Sequence, residues 1–417
     1  MGIRKIGDKM RSSFKNGILG DATFKMIANV IATIIRNVVV LPFLAKIFIS
    51  SEYGEIVTVI GIVTTISAGF GNALLSTRLV TEETYKNKSL EGDFNLICLI
   101  VSGFTMFASI PICIIFSNTC GSQYILVSLL LGVETFVGYH SGWFILRQEY
   151  KRLLYYTIFT SLGFGIGLIL SRITSIWITT YLASDICSLL FLLRYSPLVR
   201  EKIRFTPYIR TMLIKYSALI ISTILSNAIA YMDRLFLHPM IGSEAVAVYT
   251  TASVFGKAFN LIALPISSIL LGYYAVGKIQ LNLRRYWIIN AGTIVALVVF
   301  MLSTIFIGRW FTGVLYPELI DEAAPYIFVA NLSSALAASA QITKAAALKY
   351  AKLYWSLAIQ GVYSALYIIL GYRFILIDGL RGFSYAVLIV NIIQLLLLYI
   401  ICSITMKRRT EQENHYA

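Results

Sequence analysis

The sequence predicts an all-α membrane protein with about twelve transmembrane helices, arranged as two six-helix lobes around a central cavity. Three observations carry this expectation. Apolar and aromatic residues make up 58% of the 417 residues, while Asp, Glu, Lys and Arg make up 13%. Soluble chains carry about twice that charged fraction. So much apolar side chain cannot be hidden in soluble cores, and the surplus must face lipid. Apolar runs of bilayer length recur along the chain, and the 35 basic residues are unevenly shared among the connections between them.

A helix needs about 20 apolar residues to cross the hydrocarbon core. Runs of that kind are expected at 24–48, 54–76, 94–116, 124–146, 153–171, 174–193, 210–231, 245–272, 286–308, 324–343, 353–371 and 382–406. Met1–Thr23 is polar and basic, without the small-residue pattern of a cleavable signal peptide, and Met406–Ala417 is a short polar tail. Cys98, Cys113, Cys120, Cys187 and Cys402 are odd in number and widely spaced. They fit neither a disulfide framework nor a metal site.

The basic residues set the expected orientation. Of the 35, the N-terminus, the even-numbered loops and the tail hold 26, the odd-numbered loops hold 5, and four lie inside spans. Cytoplasmic loops are the ones enriched in Lys and Arg, so both termini are expected in the cytoplasm. The net charge of +15 then reflects topology and attraction to anionic membrane lipid, and no nucleic-acid partner is needed to explain it.

The longest basic connection, Arg194–Lys215, leaves six spans on each side and divides the chain into expected lobes at 1–205 and 206–417. A short Ser-Glu turn launches the second helix of each set: Ser51-Glu52 in the first half and Ser243-Glu244 in the second. Six plus six spans with one starting pattern points to a parallel internal repeat. Ser-Glu at a helix start is also common by itself.

Charges inside spans are costly, about 2.5–3.5 kcal/mol each at a helix centre, and mark candidate sites. The four cations are Lys25, Arg36, Lys46 and Lys257; the two acids are Glu134 and Asp185. Lys25 and Lys46 lie near span ends, where a lysine can snorkel to water. Arg36 and Lys257 sit at mid-span. Lys25 and Arg36 are predicted to share a face within about 20°, and Thr250, Ser253, Lys257 and Asn260 to share an arc of about 100°. Asn227, Tyr231 and Arg234 also align. A cationic stripe of this kind suits an anion in a watery cavity. For Arg36 and Lys257 an ion pair with Glu134 or Asp185 stays open beside contact with an anionic substrate. Glu134 shares a face with Gly138 and Ser141, and Asp185 with Tyr181 and Ser188; each is a candidate for proton or ion coupling, with interhelical hydrogen bonding as the alternative. His140 falls off the Glu134 face and is expected to be structural. The 26 Tyr and 5 Trp read as an interfacial belt.

No GxxxxGK[ST], HExxH, GxSxG or repeated CxxC occurs. Neither an enzyme nor a cofactor or metal is expected. The longest outer loop, between Arg309 and Ala324, is too short for the acid- and base-bearing loop expected of a membrane glycosyltransferase or polymerase.

Asn37-Val38-Val39-Val40-Leu41-Pro42-Phe43-Leu44-Ala45 running into Ser51-Glu52-Tyr53-Gly54 resembles the N-terminal signature of bacterial O-antigen (Wzx-like) flippases. These belong to the multidrug/oligosaccharidyl-lipid/polysaccharide export superfamily. Gly69-Phe70-Gly71-Asn72-Ala73-Leu74-Leu75 is similar too, as is Met232-Asp233-Arg234-Leu235-Phe236 with Gly242-Ser243-Glu244 and Tyr249-Thr250-Thr251-Ala252. Ala245-Val246-Ala247 departs from the pattern, which has a glycine before the tyrosine. The resemblance extends over the whole chain in length and span count. It implies transfer of an undecaprenyl-diphosphate-linked oligosaccharide between leaflets of the bacterial inner membrane, with a polysaccharide polymerase and a chain-length regulator as partners. Arg36, Lys257 and Lys25 match the cavity cations of related lipid flippases, with Asn260 and Arg234 beside them. The rivals are an ion-coupled exporter of small organic molecules on the same fold, and a membrane glycosyltransferase or polymerase.

Overall fold

The computed structural model describes residues 23–86, 93–116, 123–275, 281–351 and 353–416. The basic stretch from Arg4 to Lys15, together with Lys88, Cys120, Lys278 and Lys352, lies outside them. Among the described residues the chain is helical and contains no strand. With no water in the hydrocarbon core, helices satisfy their backbone groups internally.

The chain separates into two compact units, Met1–Leu235 and Phe236–Ala417. The first contains α1 (Thr23–Ile47), α2 (Ser50–Lys86), α3 (Asp93–Ile115), α4 (Tyr124–Leu146), α5 (Tyr150–Thr174), α6 (Ile178–Tyr195) and α7 (Ile209–Ala230). A short α8 (Met232–Met240) crosses the boundary. The second unit contains α9 (Ser243–Ala252), α10 (Val254–Ala275), α11 (Leu283–Leu315), α12 (Ile320–Tyr350) and α13 (Leu353–Tyr416). Among the described residues ten helices are long and apolar enough to cross a membrane. One of them, α13, breaks at Asp378–Gly379, where Gly379 takes φ +52 that a side chain would resist. Counting its two arms separately and adding the 18-residue α6, which carries Asp185 and Arg194, restores the expected twelve.

Several boundaries differ from the expected ones. The expected lobe division at 205/206 precedes α7, yet α7 packs along α2 and belongs with the first unit. Helix α2 continues well past residue 76, so Arg78 lies inside it rather than in a loop. Helix α11 runs on to Leu315, which shortens the outer connection to 316–319. Arg373 and Arg381, expected in an outer loop, flank the turn inside α13. The expected continuous span 245–272 splits at Ser253, whose hydroxyl donates to the Thr250 carbonyl at 3.2 Å. A hydroxyl that engages the preceding turn competes with the helical backbone ladder.

In the first unit α4 packs against α2, α3 and α6, and α5 pairs with α6. The second pairing depends on Gly163 and Gly167. A Cβ at Gly167 would stand 2.6 Å from Thr180 Cα, and one at Gly163 would stand 2.7 Å from Ser184 Cα. This is the small-residue crossing that lets membrane helices approach closely. In the second unit α12 packs against α9, α10, α11 and α13. Its buried face is built from Ala335, Ala338, Ala345 and Ala346 with Ser333, Ser339 and Thr343.

Replacing Gly167 by Leu should therefore destabilise the protein by about 1–3 kcal/mol, the usual cost of overpacking. Gly165→Ala, where nothing lies within 4 Å, should leave the detergent-solubilised melting temperature nearly unchanged. Equal melting of the two variants would contradict the close crossing.

Candidate functional site

Arg36 lies in a π-helical stretch of α1, Ile35–Val40, where the Leu41 N–H reaches back to the Arg36 carbonyl. Pro42 follows directly. Its ring crowds the carbonyl four residues earlier and it has no N–H, so a local widening of the helix relieves the clash. Such widenings are frequent at functional positions.

Arg36 is half-buried, and so are Glu134 on α4 and Asp185 on α6. Arg36 sits within electrostatic range of Tyr231, Glu134, Tyr181 and Asp185. The two carboxyls also feel one another, and Ser67 of α2 lies beside Glu134. Among the described residues Arg36 closes no ion pair or side-chain hydrogen bond. Tyr181 in turn is close to Arg36, Arg234, Tyr53 and Tyr231. Three polar atoms of this group, Asp185 Oδ2, Tyr181 Oη and Arg234 Nε, are buried without a hydrogen-bond partner. The first unit thus brings Arg36 and both intramembrane acids into one cluster. Unsatisfied buried polar atoms are expensive, and several converging at one place mark a site that holds water or a ligand.

Arg234, Tyr231 and Asn227 stay together as expected, though around a break in the helix. Asn227 Nδ2 donates to the Thr223 carbonyl at 2.9 Å, and the Tyr231 N–H donates to the Asn227 carbonyl at 3.1 Å. The Arg234 guanidinium is buried, donates to the Val57 carbonyl at 3.2 Å and stacks 5.1 Å from the Tyr231 ring centroid. It is therefore no part of an outer loop. Lys25 is exposed, its Nζ 5.8 Å from the Tyr150 ring centroid. Lys46 is exposed near the end of α1. His140 is buried, with Nδ1 2.8 Å from the Phe136 carbonyl oxygen and its ring stacked on Phe136.

In the second unit Lys257 and Asn260 are half-buried on α10, one and two turns beyond the break at Ser253. The break separates them from Thr250, which is buried on α9. The Gly256 N–H, next to Lys257, donates to Asn331 Oδ1 at 2.6 Å. Asn391 Nδ2 donates to the Ser333 carbonyl and hydroxyl at 3.1 and 2.8 Å. Among the described residues Thr250 Oγ1, Thr251 Oγ1, Asn331 Nδ2 and Asn391 Oδ1 are buried and find no hydrogen-bond partner. Gly256 and Asn331 thus tie α10 to α12 beside Lys257.

Two features escaped the sequence. Arg78 makes a bidentate pair with Glu201 at 2.5 and 2.8 Å and donates to the Tyr139 hydroxyl at 2.8 Å. Beside it Asp93 accepts from the Thr206 N–H at 2.7 Å and from its hydroxyl, and Asn95 Nδ2 donates to the Leu198 carbonyl at 2.6 Å. These contacts pin the segment joining α6 to α7. The partners are 61 to 123 residues apart, and no local pattern connects them. The other feature is Lys344, expected in a loop but held inside α12.

Removing one member of a buried ion pair strands the other, at about 3–5 kcal/mol. Arg78→Ala should lower the melting temperature and the amount of folded protein, and Arg78→Ala/Glu201→Gln should recover part of the loss. No recovery in the double variant would contradict the pairing.

No family model and no curated protein matches the sequence. Solved structures do match it. An inward-facing multidrug-resistance MATE family transporter of the MOP superfamily superposes with a TM-score of 0.68 at 14% identity, covering 93% of this chain and 96% of that one. The lipid II flippase MurJ in an inward closed conformation gives 0.66 at 15% identity, over 90% and 86%. The Vibrio cholerae MATE transporter VcmN in its bent form gives 0.63 at 12% identity, over 95% and 98%. The chain therefore has the fold of these multi-pass membrane transporters along nearly its whole length.

Proposed function

We propose that the protein is a flippase that transfers an undecaprenyl-diphosphate-linked O-antigen repeat unit, or a similar surface-polysaccharide unit, from the cytoplasmic to the periplasmic leaflet of the bacterial inner membrane. The observation that carries this reading is the presence of half-buried cations, Arg36 and Lys257, in the spans of a fold that also serves a lipid II flippase. A diphosphate is the anionic group such cations suit, since charge-assisted hydrogen bonds to phosphate are strong. In this reading Lys25 and Arg234 of the first unit and Asn260 of the second also contribute to substrate binding. Both termini are cytoplasmic, and a polymerase and a chain-length regulator act on the delivered unit. The activity is transport rather than catalysis.

The carboxyls of the first unit supply the coupling. Glu134 and Asp185 share one nearby guanidinium, Arg36, because Arg234 is engaged by the Val57 carbonyl and the Tyr231 ring. Uptake of a proton or small cation by this pair rebalances its charge and changes how firmly it holds Arg36. Translocation requires that such a ligand interact differently with the states it connects. The same pair favours a second reading, an ion-coupled exporter of small organic molecules, which would use the acids rather than the cations for its substrate.

The two readings part in a genetic test. Arg36→Ala and Lys257→Ala should each reduce surface-polysaccharide display about tenfold or more at unchanged membrane abundance, as expected for loss of a charge-assisted contact. Full display in both variants, with loss of drug tolerance in Glu134→Gln, would replace the flippase by the exporter. Within the flippase reading, Glu134→Gln and Asp185→Asn should slow transport and flatten its dependence on external pH, measured as uptake of a fluorescent lipid-linked analogue in vesicles.

A further inference from the structure

The two units treat intramembrane charge differently. The spans of the first unit hold Glu134 and Asp185 close to Arg36. In the second unit every acidic residue lies at a helix start, at a turn or in the tail: Glu244, Glu318, Asp321, Glu322, Asp378, Glu411 and Glu413. Lys344 lies deeper inside its helix than any of these apart from Asp378 at the α13 turn.

Lys344 belongs to the last part of α12, six residues before Tyr350 and so about 9 Å from the helix end at 1.5 Å per residue. The nearest acid on the same helix, Glu322, is 22 residues away, or about 33 Å. The side chain is half-buried. Rather than running out to water, its ammonium donates to Gln360 Oε1 on the first arm of α13 at 3.2 Å. Gln360 is itself half-buried, and its backbone carbonyl accepts from the Ser364 hydroxyl at 2.8 Å.

The donor inventory of this pair decides what it can receive. An ammonium has three N–H groups and no acceptor, and an amide has two N–H groups and one oxygen. The amide oxygen is occupied by Lys344, so Gln360 is oriented with its NH2 pointing away from the ammonium. Two N–H groups of Lys344 and two of Gln360 are left over, and the described structure gives them no acceptor. A half-buried positive charge beside a neutral amide, with donors in excess and no carboxylate, complements an oxyanion. It lies about one and a half turns inside the helix end, in the part of the span nearer its terminus than its middle.

We propose that Lys344 and Gln360 form a binding site for a lipid-borne phosphate group, with the two donors sharing its oxygens and the acyl or prenyl chain lying in the bilayer. The site takes either a phospholipid headgroup or the diphosphate of a lipid carrier, and stands whether or not the protein is a flippase. Its failure would leave the roles of Arg36 and Lys257 untouched.

Native mass spectrometry of the full-length protein in detergent tests it, with phosphatidylglycerol, a short-chain polyprenyl diphosphate and inorganic phosphate titrated separately. Lys344→Gln should weaken binding of at least one of the two lipids by about tenfold. Lys344→Arg should stay within about threefold of the parent, and Gln360→Leu should lie between. The lipid that loses more identifies the natural source of the phosphate. Unchanged affinity for both lipids in Lys344→Gln would overturn the proposal, as would Lys344-dependent binding of inorganic phosphate alone. If Lys344→Gln does not fold, Gln360→Leu supplies the comparison, because it removes an amide and leaves the charge.

Discussion

The cost of leaving a polar group or a charge unpaired where no water can reach it governs this structure. It explains why the described spans are helices, and why hydroxyls along them turn back onto their own helices, as Thr58 does to Gly54 and Thr65 to Gly61. It also explains why the few ionisable groups that remain inside are grouped with other polar side chains. A span selected only as an anchor would carry none of them.

Against this background the two units are chemically distinct. The first gathers two guanidiniums, two carboxyls and three tyrosines from α1, α2, α4, α6, the α7–α8 turn and α8. In the second unit Asn331, Asn391 and Ser333 tie α12 to α10 and α13 by hydrogen bonds.

The pinned connection after α6 adds a mechanical element. Arg78, Asp93 and Asn95 fix residues 198–206 through buried contacts, while Lys202, Ile203, Arg204 and Phe205 remain exposed. The anchoring residues sit on α2 and α3, so the start of α7 is set by the helices of the first unit. This is the physical reason why α7 joins that unit, although span counting assigns it to the second half.

Composition and apolar run length determined the class of this protein, because transfer into lipid is a sum over residues and needs no knowledge of what packs against what. The same arithmetic located nearly all the spans and picked out Arg36, Lys257, Glu134 and Asp185, since a charge within an apolar run is visible one residue at a time. Which of these charges meet was decided only by tertiary structure. Glu134 and Asp185 reach Arg36 from helices far apart in sequence. Arg78 and Lys344 looked like loop residues because hydropathy falls before the helix ends; in the fold Arg78 pairs with Glu201 and Lys344 donates to Gln360, contacts that come from elsewhere in the chain. Pairing across distance is a property of packing, and a linear pattern carries no record of it.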